Sequence, residues 1–434
     1  MSLTPLTIAK RIQQRDEWAA AGLQMANHTT TKSHSKNYKR PTALRLTKNL
    51  HISDDVSDFM DKLKAAEDGE FKLLKTLKGT FGFPFRTRLG PVQWFSKMIV
   101  YHLDIDDDKL PEEPYEDLTP AGLAEFHREL STLKTHSVNT EDQVQAILTN
   151  LVLNKVTPHV CLMYGATVLD APKHKPMIQA YIDKYKRKYK EDFVDMAKVL
   201  MTEWANQGDL SEFIDDHKHE WTVETWRALL FQMLAMVALI QEKIPSFRHN
   251  DLSLSNILVQ QTHVAAAATA AAPSYYKYRL HGQDYWVPDI GFRVLMADFD
   301  YASIEAMGIT NEKLDTDSTR KFGTVPDPNG SFDCHMMLNW LNMWVLKLYK
   351  ASVVSRGGEP IAQVKAFFDS VVEAKYQGET NRWLKHSRFR NGKKTIPELV
   401  PRHILQNNAF FAPFRSAPPP AATILEEYNI PPSA

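Results

Sequence analysis

Residues 245–259, Pro-Ser-Phe-Arg-His-Asn-Asp-Leu-Ser-Leu-Ser-Asn-Ile-Leu-Val, set a histidine, an aspartate and an asparagine in a polar loop between an apolar helical stretch and a β-branched run. Helical periodicity over Trp221–Gln241 must end before the loop, and a strand beginning at Ile257 must leave it. Such a loop, carrying ionisable side chains between two buried elements, has the form of an active-site loop. His-x-Asp is equally the mark of a turn followed by a helix cap. A second motif bears on that choice: Leu295-Met-Ala-Asp-Phe-Asp300 lies at the end of an apolar strand and brings two more carboxylates.

Composition narrows the field. A chain of 434 residues with 43% hydrophobic side chains can bury one large two-part core or two domains. Lys and Arg total 52 and Asp and Glu total 52, so the whole-chain field gives no reason to expect a nucleic-acid partner. Cys161 and Cys334 are too few for a disulfide framework, which points to a reducing compartment. The N-terminus shows no long apolar core of the signal-peptide kind. The most apolar segment, Trp226–Gln241, falls short of the roughly 20 residues a membrane span needs and reads as a buried helix.

Along the chain, residues 1–48 read as a polar extension with one short helix near Ile8–Met25 and a Thr/Ser/Lys run at Thr29–Lys36. Strands follow at Phe71–Leu77 and Trp94–Val100, with Gly79 and Gly82 in the turn between them. Lys97 is flanked by Trp94, Phe95, Ile99 and Val100, where a cation needs a counter-charge unless its strand lies at a sheet edge. Residues 104–118 read as an acidic, Pro-broken exposed insertion. Helices are expected over Pro120–Leu133 and Glu141–Leu153, the second capped by Thr140. Glu141 is the candidate partner of Lys97, although an acid in a first turn also suits the helix dipole.

Thr157–Val168 reads as a strand pair, Lys184–Lys190 as the basic face of a helix, and Val199–Glu203 as an apolar strand. Gly208 then turns the chain into a helix capped by serine. Residues 264–275 are a low-complexity insertion, and Ser331–Leu348 is apolar almost all round, a buried helix with Asp333 at its start. Pro401–Phe411 reads as polar helix, with a Pro-rich tail from Pro418. His217 and His219 lack a third ligand at metal spacing and read as exposed.

Taken in order, these segments resemble the protein kinase superfamily, in particular the serine/threonine-protein kinases of nucleocytoplasmic large DNA viruses of the iridovirus, poxvirus and giant-virus type. The resemblance is carried by 154–160, Glu203 with Gly208-Asp-Leu, His249–Leu258, Val287–Leu295, Ala297–Ala302 and Phe332–His335, over about 70–415. It implies an α+β, bilobal fold with a small β-rich N-lobe holding one key helix and a larger helical C-lobe. The expected divisions are an extension 1–48, an N-lobe with insertions 49–203, a C-lobe 204–415 and a tail 416–434. It further implies ATP-dependent transfer to serine or threonine hydroxyls of viral or host proteins, with Mg²⁺, in infected-cell cytoplasm or the virion. No nucleic-acid partner and no membrane span are expected.

By the same resemblance Asp251 is the catalytic base, Asn256 and Asp298 the metal ligands, and Lys97 the phosphate clamp partnered by Glu141. Gly79 and Gly82 would cover the phosphates, Glu203 and Ala205 would lie at the adenine, and Asp333 would brace the loop. Phosphoryl transfer asks mostly for positioning and charge neutralisation, which these residue types supply.

The chain departs from the pattern at four places. Asn250 replaces the arginine after the loop histidine, Ser253 the lysine two after the aspartate, and Asp300 the glycine of the metal turn, and no Ala-Pro-Glu follows. Ser253 and Asp300 leave open a small-molecule phosphotransferase of the choline or aminoglycoside type. The incomplete glycine pattern leaves open a catalytically weak pseudokinase scaffold.

Overall fold

The computed structural model describes residues 7–23, 71–76, 83–89, 92–103, 115–133, 135–169, 175, 178–179, 182–183, 193–262, 273–314, 316–320, 323–355, 359–372 and 395–430. Strand and helix are mixed throughout, and the chain divides into two compact units. One comprises 9–150 and 162–204, the other 1–8, 151–161 and 205–434.

The first, the sheet unit, holds α1 (Ile8–Leu23, from residue 9), β1 (Phe71–Thr76), β2 (Phe83–Leu89) and β3 (Val92–His102). After these come α2 (Pro120–Thr132), α3 (Ser137–Leu153, through residue 150), β4 (Met163–Leu169) and β5 (Phe193–Glu203). The strands form one antiparallel sheet in the order β1-β2-β3-β5-β4. Tyr101 of β3 and Val194 and Met196 of β5 pack with Phe126, Leu130 and Val138 of α2 and α3. That cluster fixes α3 to one sheet face, each large side chain contributing about 1.5–3 kcal/mol on burial.

Several expectations change here. β3 is interior, paired on both sides, so the edge-strand reading of Lys97 fails. α3 starts at Ser137, and Thr140 lies inside it with its hydroxyl bonded to the His136 carbonyl rather than capping the end. Glu141 is consequently not a first-turn acid, and the dipole does not account for it. Thr157–Val168 gives a single strand, β4, plus an isolated bridge from Val160 to Met296. β2 escaped notice because Pro84 and two arginines interrupt its apolar pattern. Gly79 and Gly82 lie outside the described residues, as do 104–114, 184–190 and 263–272. The stretch read as an extension is not all tail: Arg11 of α1 is fully buried.

The second, the helical unit, holds α4 (Leu210–His217), α5 (Val223–Lys243), β6 (Phe247–Arg248), β7 (Ile257–Gln261), β8 (Ser274–Leu280), β9 (Gln283–Pro288), β10 (Phe292–Met296) and β11 (Ser303–Ile304). It continues with α6 (Asp317–Arg320), α7 (Phe332–Ser355), α8 (Glu359–Val371), α9 (Pro401–Asn407) and β12 (Thr423–Tyr428). Gly208, at φ 76°, turns the chain into α4, whose cap is Asp209, not a serine: its carboxylate accepts from Glu212 N.

α5 is buried from Ala228 to Ile240. Among the described residues it is the one helix long and apolar enough to cross a membrane, and a helix apolar all round is what a protein core also requires. β7 pairs antiparallel with β10, and β6 with β11. β12 joins β8 in parallel, with β9 on the other side of β8, so residues read as tail complete a three-stranded sheet.

Candidate active site

The antiparallel register of β7 and β10 builds the centre of the site. Ile257 stands opposite Met296, so Asn256 just before one strand and Ala297 just after the other are neighbours, and Ala297 N donates to Asn256 O at 3.0 Å. Asp298 follows directly. Asn256 lies in a short 3₁₀ turn, Leu254–Asn256, and its Nδ2 donates to Asp251 O at 2.7 Å and to Asp251 Oδ2 at 3.1 Å. The amide's donor is thereby spent on Asp251, which leaves its Oδ1 as the acceptor side of the group.

Hydrogen bonds hold the loop from behind. Asp333 of α7 accepts from His249 N at 2.8 Å and Asn250 N at 2.9 Å, one carboxylate oxygen each. Asp333 therefore braces the loop as expected and does not cap its own helix. His249 Nδ1 receives Asp251 N–H at 3.3 Å, and because that donor is fixed, the ring proton belongs on Nε2, which meets Ala297 O at 3.0 Å. Asn250 and Asp298 both adopt left-handed backbone, φ 65° and 63°, which Asn and Asp tolerate better than other non-glycine residues. Two such residues side by side at one site are the kind of local strain that surrounding hydrogen bonds must hold.

Asp251 is the perturbed acid of the group. Burial first, then the neighbouring Asp298 carboxylate, push it up to about 7, against a partial pull back from Asn256. The half-buried Asp251 carboxylate and the exposed Asp298 carboxylate, with the Asn256 amide oxygen beside them, form an oxygen-rich donor set that suits a hard divalent cation.

In the sheet unit, Lys97 of β3 places Nζ 3.0 Å from both oxygens of Glu141 on α3, with both side chains nearly buried. A second pair, which sequence reading missed, lies beside it: Lys198 of β5 donates to Asp142 and to Asn139, each at 2.8 Å. Burial works against the Lys198 charge, but Asp142 and Tyr101 outweigh it and hold the ammonium above its usual range. The signal was present as a second lysine inside an apolar strand and a second acid following Glu141.

Glu203 ends β5 with its carboxylate committed to the Arg11 guanidinium and to Leu162 N. Its side chain is thus structural, and its backbone N–H is also engaged, donating to Leu162 O at 2.9 Å. Ala205, in the helical unit, belongs to a buried apolar cluster with Cys161 and Leu295, flanked by Leu258 and Ala297. Arg248, also unforeseen, donates to Asp327 O at 2.8 Å and Gly323 O at 3.0 Å and stacks over Phe332.

The chain matches no protein-family model. It is 34% identical over 214 residues to a protein of Acanthamoeba polyphaga mimivirus named as a serine/threonine-protein kinase, covering 47% of this chain and 45% of that one. It is 30% identical over 108 residues to a Dictyostelium discoideum protein that also carries a serine/threonine-protein kinase name, covering 24% of this chain and 8% of the other. The matches therefore span less than half the length of either relative. The resemblance read from the sequence is borne out by these names, one of them from a giant virus, and they support a serine/threonine kinase over the matched region.

Proposed function

We propose that the protein is an ATP-dependent serine/threonine protein kinase of a large DNA virus, with the sheet unit and the helical unit as its small and large lobes. The observation that carries this reading is the contact of Asn256 with Asp251 beside a strand register that sets Asp298 next to them. In this reading Asp251 takes the acceptor hydroxyl's proton, and its raised pKa suits a base working near neutral pH. Asn256 Oδ1 and the Asp298 carboxylate hold Mg²⁺, which supplies neutralisation of the phosphate oxygens. Lys97, fixed by Glu141, serves the nucleotide's phosphates, and the partly buried Leu258 and Ala297, packed on the Cys161, Ala205 and Leu295 cluster, offer an apolar surface to the adenine. The relatives' names support a protein acceptor. We take that acceptor to be a viral or host protein met in infected-cell cytoplasm or the virion, and the balance of 52 basic against 52 acidic residues gives no field to attract nucleic acid.

Ser253 and Asp300, unlike the kinase pattern, favour as a second reading a small-molecule phosphotransferase. Purified protein with γ-labelled ATP, Mg²⁺ and a panel of generic protein and small-alcohol acceptors separates the two. Label on serine or threonine of protein, lost in Asp251→Ala and Asp298→Asn, is the expected result; label on small alcohols alone defeats the first reading.

A further inference from the structure

Ser253, two residues past Asp251, brings no charge to the site, and its hydroxyl is shared with Ser255 Oγ at 2.8 Å. A cation reaches the same carboxylates by another route. Asp300, two residues past Asp298, is 7% exposed, and its two oxygens accept from Lys313 Nζ at 2.8 and 2.9 Å. The lysine's segment is clipped in place: Asn311, itself buried, donates its Nδ2 to the Asp300 carbonyl and accepts Lys313 N–H on Oδ1 at 2.9 Å. The ammonium also lies 5.6 Å from the centre of the Tyr301 ring. Asn250, the residue before Asp251, donates Nδ2 to the Tyr301 carbonyl at 3.1 Å, so the segment that carries Asp300 and Lys313 is tied to the loop that carries Asp251.

Crowded carboxylates repel a phosphate, and a terminal phosphoryl group gathers charge on its oxygens as it is transferred. We propose that Lys313, carried by Asp300, is the catalytic cation that meets the transferred phosphoryl group of a nucleoside triphosphate. The inference rests on the phosphotransfer reading above. In the step, the acceptor oxygen bonds to the γ phosphorus while the bond from that phosphorus to the β–γ bridging oxygen breaks. The electron pair leaves with the nucleoside diphosphate and the hydroxyl proton passes to Asp251. Lys313 exchanges part of its ion pair with Asp300 for a γ oxygen, and none of its own covalent bonds changes.

The competing role is neutralisation of Asp300 alone, and a double substitution separates the two. Steady-state kinetics and Mg-ATP binding are measured for wild type, Lys313→Met, Lys313→Arg and Lys313→Met with Asp300→Asn, with Asp298→Asn as control. A lysine acting on the phosphoryl predicts a kcat loss of about 10²-fold in Lys313→Met with ATP affinity within about threefold, and recovery to within about tenfold in Lys313→Arg. The double variant should stay as slow as Lys313→Met. Wild-type kcat in the double variant, or in Lys313→Met itself while Asp298→Asn is inactive, overturns the role of Lys313 alone. Unchanged transfer in both Lys313→Met and Asp298→Asn overturns the phosphotransfer reading with it.

Discussion

Lys97 Nζ donates to both carboxylate oxygens of Glu141 at 3.0 Å, across 44 residues of chain and from the interior of a five-stranded sheet to the helix packed on it. Breaking a buried pair leaves one charge uncompensated, at about 3–5 kcal/mol. Glu141→Gln and Lys97→Met should each lower the melting temperature, and the double variant should lose less than the sum of the two. Phosphoryl transfer should fall at least about 10²-fold in each single variant. Thermal melts with labelled-ATP assays measure both, and strictly additive destabilisation would argue that the pair is not coupled.

Arg248 spends its guanidinium on two carbonyls of 323–327 and on the Phe332 ring, so this stretch is anchored by backbone oxygens. With Asn250 standing where the kinase pattern has the arginine that pairs with a phosphorylated segment, phosphatase-treated protein should keep its transfer rate within about twofold. Arg248→Ala should cost about 2–4 kcal/mol, since it orphans those carbonyls and removes a buried stack. A treated enzyme that goes silent would show that a phosphate is required after all.

The Asp251 carboxyl titrates near about 7, well above the ordinary 3.8. A folded-state value raised in this way means that ionisation opposes folding: no cost below about pH 4, a growing one as pH rises, and the full cost above about 7. Asp251→Asn should then be more stable than wild type at pH 8 by about 1–3 kcal/mol in metal-free buffer, with the gap nearly closed at pH 4. Melts in chelator at the two pH values test this, and an equal gap at both would count against it.

Arg11 is wholly buried against Glu203. Arg11→Ala strands the carboxylate at the end of β5 and should destabilise by about 3 kcal/mol, with Arg11→Lys recovering only part because a single ammonium cannot reproduce the two-pronged contact. Denaturant unfolding of the three proteins reads this directly, and an unchanged midpoint in Arg11→Ala would remove the role given to α1.

The centre of the site was legible because its residues are close in sequence to strongly patterned elements: the apolar run of α5, the β-branched β7 and the apolar β10 each announce themselves, and the polar residues between them had to be loop. The helix starts were less legible. Thr140 and a serine looked like caps, but tertiary contacts extend α3 by a turn, and Asp209 outcompetes Ser211 two positions away. Lys313, Arg248 and Arg11 could not be read as partners, since each meets its carboxylate or carbonyl through the folded chain and no local pattern marks the pairing. β8 and β9 alternate regularly in burial and join through His281-Gly282, a hairpin signal that the sequence carried and that was passed over, whereas β12 has no such alternation and its partner strand is distant.

The parallel pairing of β12 with β8 has a consequence for biosynthesis. Thr423 meets Ser274, so at about 5–20 residues per second the ribosome delivers the completing strand roughly 7–30 s after the strand it joins. Throughout that interval one flank of β8 presents unsatisfied amides and carbonyls to whatever extended peptide drifts past. Newly made chains are thus exposed to mispairing with one another while translation is still under way, and slowing the ribosome would lengthen that window.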